Sequence, residues 1–347
     1  MPKDPARLAR ADTYVVRAAL FQALPETFSA FGLSIEPLLR EAGLPPDSLD
    51  DPEYPIPVRS AVKLVALGAE RTGRPDFGLL AGQTVPLAAL GLIGMLAANA
   101  ADVGAGLRGL VMTLHLNGRA IVPALVVRDD MASLSLALAT THPTGMRQGI
   151  DFAMAVAGNI MKTLCGPDWA PAEVLFSYRP PANQKSYARF FKAPLQFNAD
   201  QSALVFPATW LSRRIAGADA QRRKALQQGV AAVMSEQPFD IQTRTRRAVF
   251  TAIVQDDVTV ENVAGLLGMH RRTLNRRLAE SDATFAGILN EVRFEIARRL
   301  MSDTALPLVD IAATLNYADA SAFTRAFRSW SGMTPTDWRR KGSRQRT

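Results

Sequence analysis

Two stretches of this 347-residue chain carry the same helical layout 49 positions apart, and that repeat constrains the C-terminal third more than any other feature. The first stretch reads TVENVAGLLG and then MHRRTLNRRLAE, covering residues 259–280. Thr259 suits a helix N-cap and Gly268 a helix stop. A turn of about three residues then leads into a second helix. The second stretch, PLVDIAATLNYADASAFTRAFRSW, has its turn at Asn316–Ala318 and Asp319 as the next cap. Phe323 and Phe327 stand where Leu274 and Leu278 stand in the first copy. Between the copies, Phe285, Ile288, Leu289, Val292, Ile296 and Leu300 form one apolar stripe at helical spacing. The pattern predicts an all-α C-terminal domain, residues 246–347. Two helix-turn-helix units, about 259–280 and 308–330, are joined in it by a long helix.

On a helical wheel, Leu274 and Leu278 mark the buried side of the second helix, so Arg272 and Arg276 point away from it. Two like charges one turn apart cost a few tenths of a kcal/mol in an isolated helix. A merely solvated face more often alternates signs. Arginine and asparagine are also apt for base edges, since Arg reaches guanine O6/N7 and Asn reaches adenine N6/N7 bidentately. Arg272, Asn275 and Arg276 are therefore expected to read bases. Ser321, Thr324 and Arg325 are expected to do so in the second copy. His270, Arg271, Arg277 and Arg328 are expected to touch phosphate, with His270 doubling as a helix cap. Two such units on a rigid spacer can address successive major-groove faces, about 34 Å apart. Charge points the same way. Residues 241–347 hold 17 Lys/Arg and 11 Asp/Glu, an excess of six out of the chain's net +8. The bland alternative is a basic tail, since Arg339, Arg340 and Lys341 begin a cluster near the C-terminus.

The rest of the chain has a different texture. YVVRAALFQAL, SIEPLLREAGL and VRSAVKLVALGAERTG read as short helices. Residues 77–101 carry no charge and are long enough to span a bilayer. Gln83, Thr84, Pro86, Asn99 and four glycines interrupt the run, which favours a turn around Thr84–Pro86 and a buried helix. AIVPALVVRDDMASLSLALAT reads as two strands around an Asp129–Asp130 turn. A helix over 144–165 follows, then strands in AEVLFSYRPP and ALVFPATWL with a helix near 183–192 between them. These elements predict an α+β domain over residues 1–215, with residues 216–245 as a helical connector. The charged N-terminus carries no secretory signal, and the expectation is a protein of the cytoplasm without a membrane span.

Placed catalytic groups are few. His115, His142 and His270 have no metal-ligand spacing with a cysteine or carboxylate. The single cysteine, Cys165, excludes a disulfide within the chain and reads as a small core residue. FGLLAG and LGLIGM read as close-packing glycines rather than phosphate loops. No catalytic residue, metal or cofactor is expected, and the chain is not expected to be an enzyme. Two other classes stay open on the residues alone. One is an enzyme with a DNA-binding tail, such as a DNA-repair alkyltransferase. The other is a non-specific nucleic-acid-binding architectural protein. Duplex binding with a defined footprint would separate the second of these from a regulator, and turnover of a bound compound would revive the first.

The last 90 residues resemble the AraC/XylS family of bacterial transcription regulators. VAGLLGMHRRTLNRRLAESDATFAGILNEVRFEIA and DIAATLNYADASAFTRAFRSWSGMTPTDWR carry the resemblance, and SAFTRAFRSWSGMTPTDWR is its most specific part. It implies two helix-turn-helix units of one monomer docked on adjacent major-groove segments of a double-stranded DNA operator. It also implies an activator rather than a repressor, contact with RNA polymerase and a homodimer. Asn316 stands where the family usually has Gly, and Asn tolerates the left-handed turn conformation. His270 stands where the family often has Ser and is a poorer helix cap; Ala320 replaces a commonly polar residue, which weakens direct readout by the second unit and places more of the base specificity in the first. YPIPVRSAVKLVALGAERTGRPDFGLLAG, LGLIGMLAANA and FFKAPLQFNADQSALVFPATWL resemble the arabinose-binding type of effector domain. That resemblance implies a small-molecule effector without naming it or its residues.

Overall fold

The computed structural model describes residues 15–114, 121–138, 145–236, 241–254, 257–303 and 306–344. His115 and His142 lie outside them. The chain divides into two compact units, one mainly of residues up to 236 and one mainly of residues from 237 on.

The first unit opens with strand β1 (Val15–Arg17), followed by helices α1 (Leu24–Ser29) and α2 (Glu36–Glu41). Strand β2 (Pro55–Pro57) pairs antiparallel with β1, Val16 opposite Ile56. The helical spacing of YVVRAALFQAL is thus overruled. Val15–Arg17 is extended, a 3₁₀ turn covers Ala18–Leu20, and helix begins only at Leu24. Two consecutive β-branched residues favour the strand. Its partners lie far along the chain: Ala18 N–H donates to the Tyr54 carbonyl, and Arg17 forms an ion pair with Glu53.

Helices α3 (Val58–Thr72), α4 (Phe77–Gln83), α5 (Gly91–Ala98) and α6 (Val103–Thr113) come next. The uncharged stretch folds as α4 and a second segment, Leu87–Ala98, bent by 89° at the expected turn. No single helix among the described residues is long and apolar enough to cross a membrane. Strands β3 (Ile121–Arg128) and β4 (Met131–Leu138) form the expected hairpin, with Asp129 at φ 54° in the turn. Helix α7 (Met146–Cys165) is the central element, buried along most of its first half. Strand β5 (Glu173–Phe176), helix α8 (Lys185–Phe191), strands β6 (Leu195–Phe197) and β7 (Ser202–Pro207) and helix α9 (Ala220–Glu236) follow. The sheet order is β3-β4-β7-β5-β6, with β4 antiparallel to β7. Helix α9 packs against α5.

Helix α7 grips α4 at both ends. Gln148 Oε1 accepts from Gly78 N–H at 2.7 Å, and Asn159 Nδ2 donates to the carbonyls of Gly82, Gln83 and Val85. Glycine makes this approach possible: a Cβ on Gly78 would lie 2.2 Å from the Gln148 carbonyl oxygen. FGLLAG is a packing element, as its composition suggests.

The second unit is helical: α10 (Ile241–Val254), α11 (Val260–Leu266), α12 (Arg271–Ala279), α13 (Phe285–Asp303), α14 (Leu308–Thr314), α15 (Ala320–Ser331) and α16 (Pro335–Arg344). Arg246 joins α10 to α13 by ion pairs with Glu291, at 3.1 Å, and Glu295. Ala297, Leu300, Ile311, Leu315, Phe323 and Phe327 form one buried core, edged by Phe294, Trp330 and Trp338.

The repeat is larger than a helix pair. Helix α10 stands to α11 and α12 as α13 stands to α14 and α15. Arg244 donates to the Leu267 carbonyl at 3.4 Å, and Arg293 donates to the Asn316 carbonyl at 3.2 Å. Both donors and both acceptors are 49 residues apart. Ala248 and Ala252 match Ala297 and Met301 at the same offset, all four buried. Each turn thus receives an arginine from the preceding helix, onto the C-cap carbonyl of Leu267 in the first copy and onto the Asn316 carbonyl, one residue past the C-cap, in the second.

Candidate nucleic-acid interface

The two turns are built alike. Gly268 is at φ 65° and Asn316 at φ 57°, so asparagine takes the left-handed position directly. Met269 N–H closes the first turn on the Ala264 carbonyl at 2.9 Å, and Tyr317 N–H closes the second on Ala312 at 3.0 Å. These partners are 48 residues apart, not 49. The second turn therefore contains one extra residue before its cap.

Helix α12 starts at His270, whose Nδ1 accepts from Arg272 N–H at 3.3 Å. Histidine caps in place of the usual hydroxyl, leaving Nε2 as a donor. Leu274 and Leu278 are fully buried, while Arg272, Asn275, Arg276 and Arg277 are exposed. The wheel placement therefore holds in three dimensions. Two carboxylates accompany these arginines. Glu261 on α11 binds Arg271 at 2.8 Å, and Glu280 lies 3.4 Å from Arg276, one turn on. Arg271 holds the Glu261 carboxyl below the usual carboxylate range. Burial, and then the nearby charge of Arg277, lower the affinity of the Arg244 guanidinium for its proton. Arg244, half-buried on the Leu267 carbonyl, thus lies within electrostatic reach of Arg277.

Helix α15 starts at Asp319, whose carboxylate accepts from Ala322 N–H at 2.7 Å. Phe323 and Phe327 are fully buried, and Ser321, Arg325 and Arg328 are exposed. Thr324 differs from the others: it is half-buried and its hydroxyl donates to the Ala320 carbonyl at 2.7 Å. Its Oγ can still accept from a base but has no second proton to give. Among the residues expected to read bases, α15 therefore offers the Arg325 guanidinium and the Ser321 hydroxyl in the open, where α12 offers Arg272, Arg276 and the Asn275 amide.

Four polar groups of this surface escaped the sequence pattern: Glu261, Glu280, Arg244 and Arg293. The two arginines had a signal, since they share the 49-residue offset. Glu280 had one too, standing four residues after Arg276 on the same helix; Glu261 did not, because charge type alone does not show which arginine it will meet.

The first unit contains a cavity of about 80 Å³. Leu134 and Leu136 of β4, Leu107 and Leu110 of α6, and Phe152 and Val156 of α7 are among the residues lining it. Phe152 stacks on Phe21, ring centres 5.1 Å apart, which fixes that wall. Cys165 lies elsewhere on α7; burial pushes its thiol up to about 12, against a smaller opposing pull from Arg213. The thiolate needed for nucleophilic or alkyl-transfer chemistry is thus disfavoured.

The chain is similar to several known proteins. Residues 32–215 match the family described as the N-terminal arabinose-binding domain of AraC transcription regulators, and residues 263–341 match a helix-turn-helix domain family. The chain is 28% identical to the ornithine utilization regulator of Pseudomonas aeruginosa, over 94% of this chain and 96% of that protein. It is 23% identical to the HTH-type transcriptional regulator VirS of Mycobacterium tuberculosis, over 94% of this chain and 97% of that protein. The crystal structure of the transcriptional regulator CdpR from Pseudomonas aeruginosa superposes with a TM-score of 0.44 at 21% identity, covering 88% of this chain and 96% of that one.

Proposed function

The chain belongs to the AraC/XylS family of transcription regulators, with a helix-turn-helix DNA-binding domain and a small-molecule-binding N-terminal domain, and from that premise we propose that it is a sequence-specific, ligand-responsive activator that does not act as an enzyme. Helices α12 and α15 enter adjacent major-groove segments of one operator. Arg272, Asn275 and Arg276 read one segment, and Ser321, Thr324 and Arg325 the next. His270, Arg271, Arg277 and Arg328 hold phosphates and set the register. Residues 246–347 carry this activity, residues 1–215 take the effector, and residues 216–245 connect them. The protein acts as a homodimer and contacts RNA polymerase, following the family resemblance.

The observation that carries the proposal is the α12 surface. Two fully buried leucines lock the helix, and the face opposite them presents Arg272, Asn275 and Arg276 in the open. A solvated helix has no need for two like charges a turn apart beside an amide.

The effector acts by favouring one of two states of the protein, which requires different affinities for them. The family description names a sugar, and the Pseudomonas relative's name points to ornithine; neither is assigned to this chain. The test is selection of duplexes from a random pool by the full chain. Two preferred blocks, about 10 base pairs centre to centre, are expected. A single block would remove base reading from α15, and a pool without enrichment would remove sequence specificity altogether.

A further inference from the structure

The cavity of the first unit has a lining that selects against the ligands suggested by names. The sixteen described residues around it are all apolar: aliphatic side chains, one proline and the ring of Phe152. They come from β1, the Ala18–Leu20 turn, Leu90, α6, the β3–β4 hairpin and α7, so the cavity is built from segments distant along the chain. A sugar would leave several hydroxyls without partners among these side chains, and a buried hydroxyl without a hydrogen bond is costly. An amino acid would also bring two charges, at a still higher cost. A hydrocarbon surface loses nothing there and gains by leaving water.

We propose that this cavity is the effector site and that it takes an uncharged aliphatic body rather than a sugar or an amino acid. The inference rests on the ligand-responsive function proposed above and specifies its chemistry. One water needs about 10–15 Å³ of such space, so the cavity accommodates a body of about five to eight carbons. Ala153 and Ala157, one turn apart on α7, are the small residues that leave it open, and both are otherwise buried. Leucine at either position fills it.

The test uses the full chain and the series 1-butanol, 1-hexanol and 1-octanol, with arabinose and ornithine as polar comparisons. Affinity is measured by calorimetry. It is expected to rise about fourfold per added methylene, equivalent to ~0.8 kcal/mol, until the cavity is full. Ala157→Leu is expected to abolish that binding while retaining affinity for the selected duplex, and Ala153→Leu to repeat the result. The chain-length dependence of the unaltered protein decides the matter even if both substituted proteins unfold. Affinity independent of chain length, or equal in the folded Ala157→Leu protein, overturns the assignment. Arabinose or ornithine binding that Ala157→Leu abolishes overturns the ligand class while leaving the effector reading intact. Alkanol binding in the cavity with no change in duplex affinity or footprint does the reverse: the ligand class stands and the effector role falls.

Discussion

Glu261 on α11 holds Arg271 on α12 at 2.8 Å, and both side chains are more than half exposed. The pair spans the first turn, so a residue assigned to phosphate already has an anionic partner. In water such a pair is weak and readily exchanged. A DNA phosphate can therefore replace the carboxylate, but Glu261 then remains as a negative charge beside the duplex. Glu261→Gln is expected to leave the melting temperature almost unchanged and to strengthen binding to all duplexes alike. The slope of log affinity against log salt should steepen by up to about one unit as Arg271 engages fully. Titrations of specific and random duplexes at several salt concentrations measure this. Unchanged affinity and slope would show that Arg271 stays off the backbone.

The close approach of α4 to α7 gives a second expectation. A Cβ at Gly82 would fall 2.4 Å from the Phe152 carbonyl oxygen and 2.8 Å from the Ala155 Cβ. Backbone on one side and a packed methyl on the other leave no flexible group to yield. Gly82→Ala should cost about 1–3 kcal/mol through overpacking, despite the better helix propensity of alanine. Thermal or denaturant melts read it. A protein of unchanged or higher stability would mean that α4 can slide along α7.

A third expectation concerns acid. Arg74 donates to both oxygens of Asp76, at 2.9 and 2.8 Å, and holds its carboxyl below the usual range, with burial pulling the other way. The folded state therefore binds this proton less readily than the unfolded chain, whose Asp titrates near ~3.9. The resulting stability is present above that value and is lost as pH falls through the folded one. Asp76→Asn should accordingly be less stable than the unaltered protein at neutral pH, with the gap narrowing below about pH 4. Melting temperatures of both proteins from pH 7 to 3 test it; a constant gap would remove Asp76 from the acid response.

The C-terminal unit was legible because its pattern is local. Leu274 and Leu278 recur as Phe323 and Phe327, and a period of 3.6 residues turns that spacing directly into a buried side and a reading side. The same period failed at YVVRAALFQAL, since the β1–β2 pair joins residues about 40 apart by backbone hydrogen bonds that leave no periodic trace. The effector cavity was illegible for a related reason: Val16, Leu107, Leu134 and Phe152 each look like ordinary core residues, and only their meeting makes a hollow. Arg244 and Arg293 lie between these cases. Their shared offset was visible, but aligning α10 with α13 requires knowing that the repeat begins one helix earlier than its apolar residues suggest.

The decisive prediction returns to α12. Arg276 is 68% exposed and pairs with Glu280 of its own helix, itself 60% exposed, so the fold does not depend on it heavily. If it reads a base, Arg276→Ala should cost about 1–3 kcal/mol at the selected site and relax preference at one base position. If it only touches phosphate, binding should weaken about equally on all sequences and the salt slope should fall by roughly one unit. A solvated arginine would change neither. Glu280→Gln separates orientation from contact: if the carboxylate steers the guanidinium toward a base, this substitution should relax the same position without weakening random-duplex binding. Leu274→Ala is the folding control and should cost about 2–5 kcal/mol, because that leucine is fully buried. Specific and random duplexes are titrated at two salt concentrations, beside thermal melts of each protein. A folded Arg276→Ala protein with unchanged affinity and preference would make the exposed face of α12 a solvated surface, and base reading would then have to come from Arg272 and Asn275.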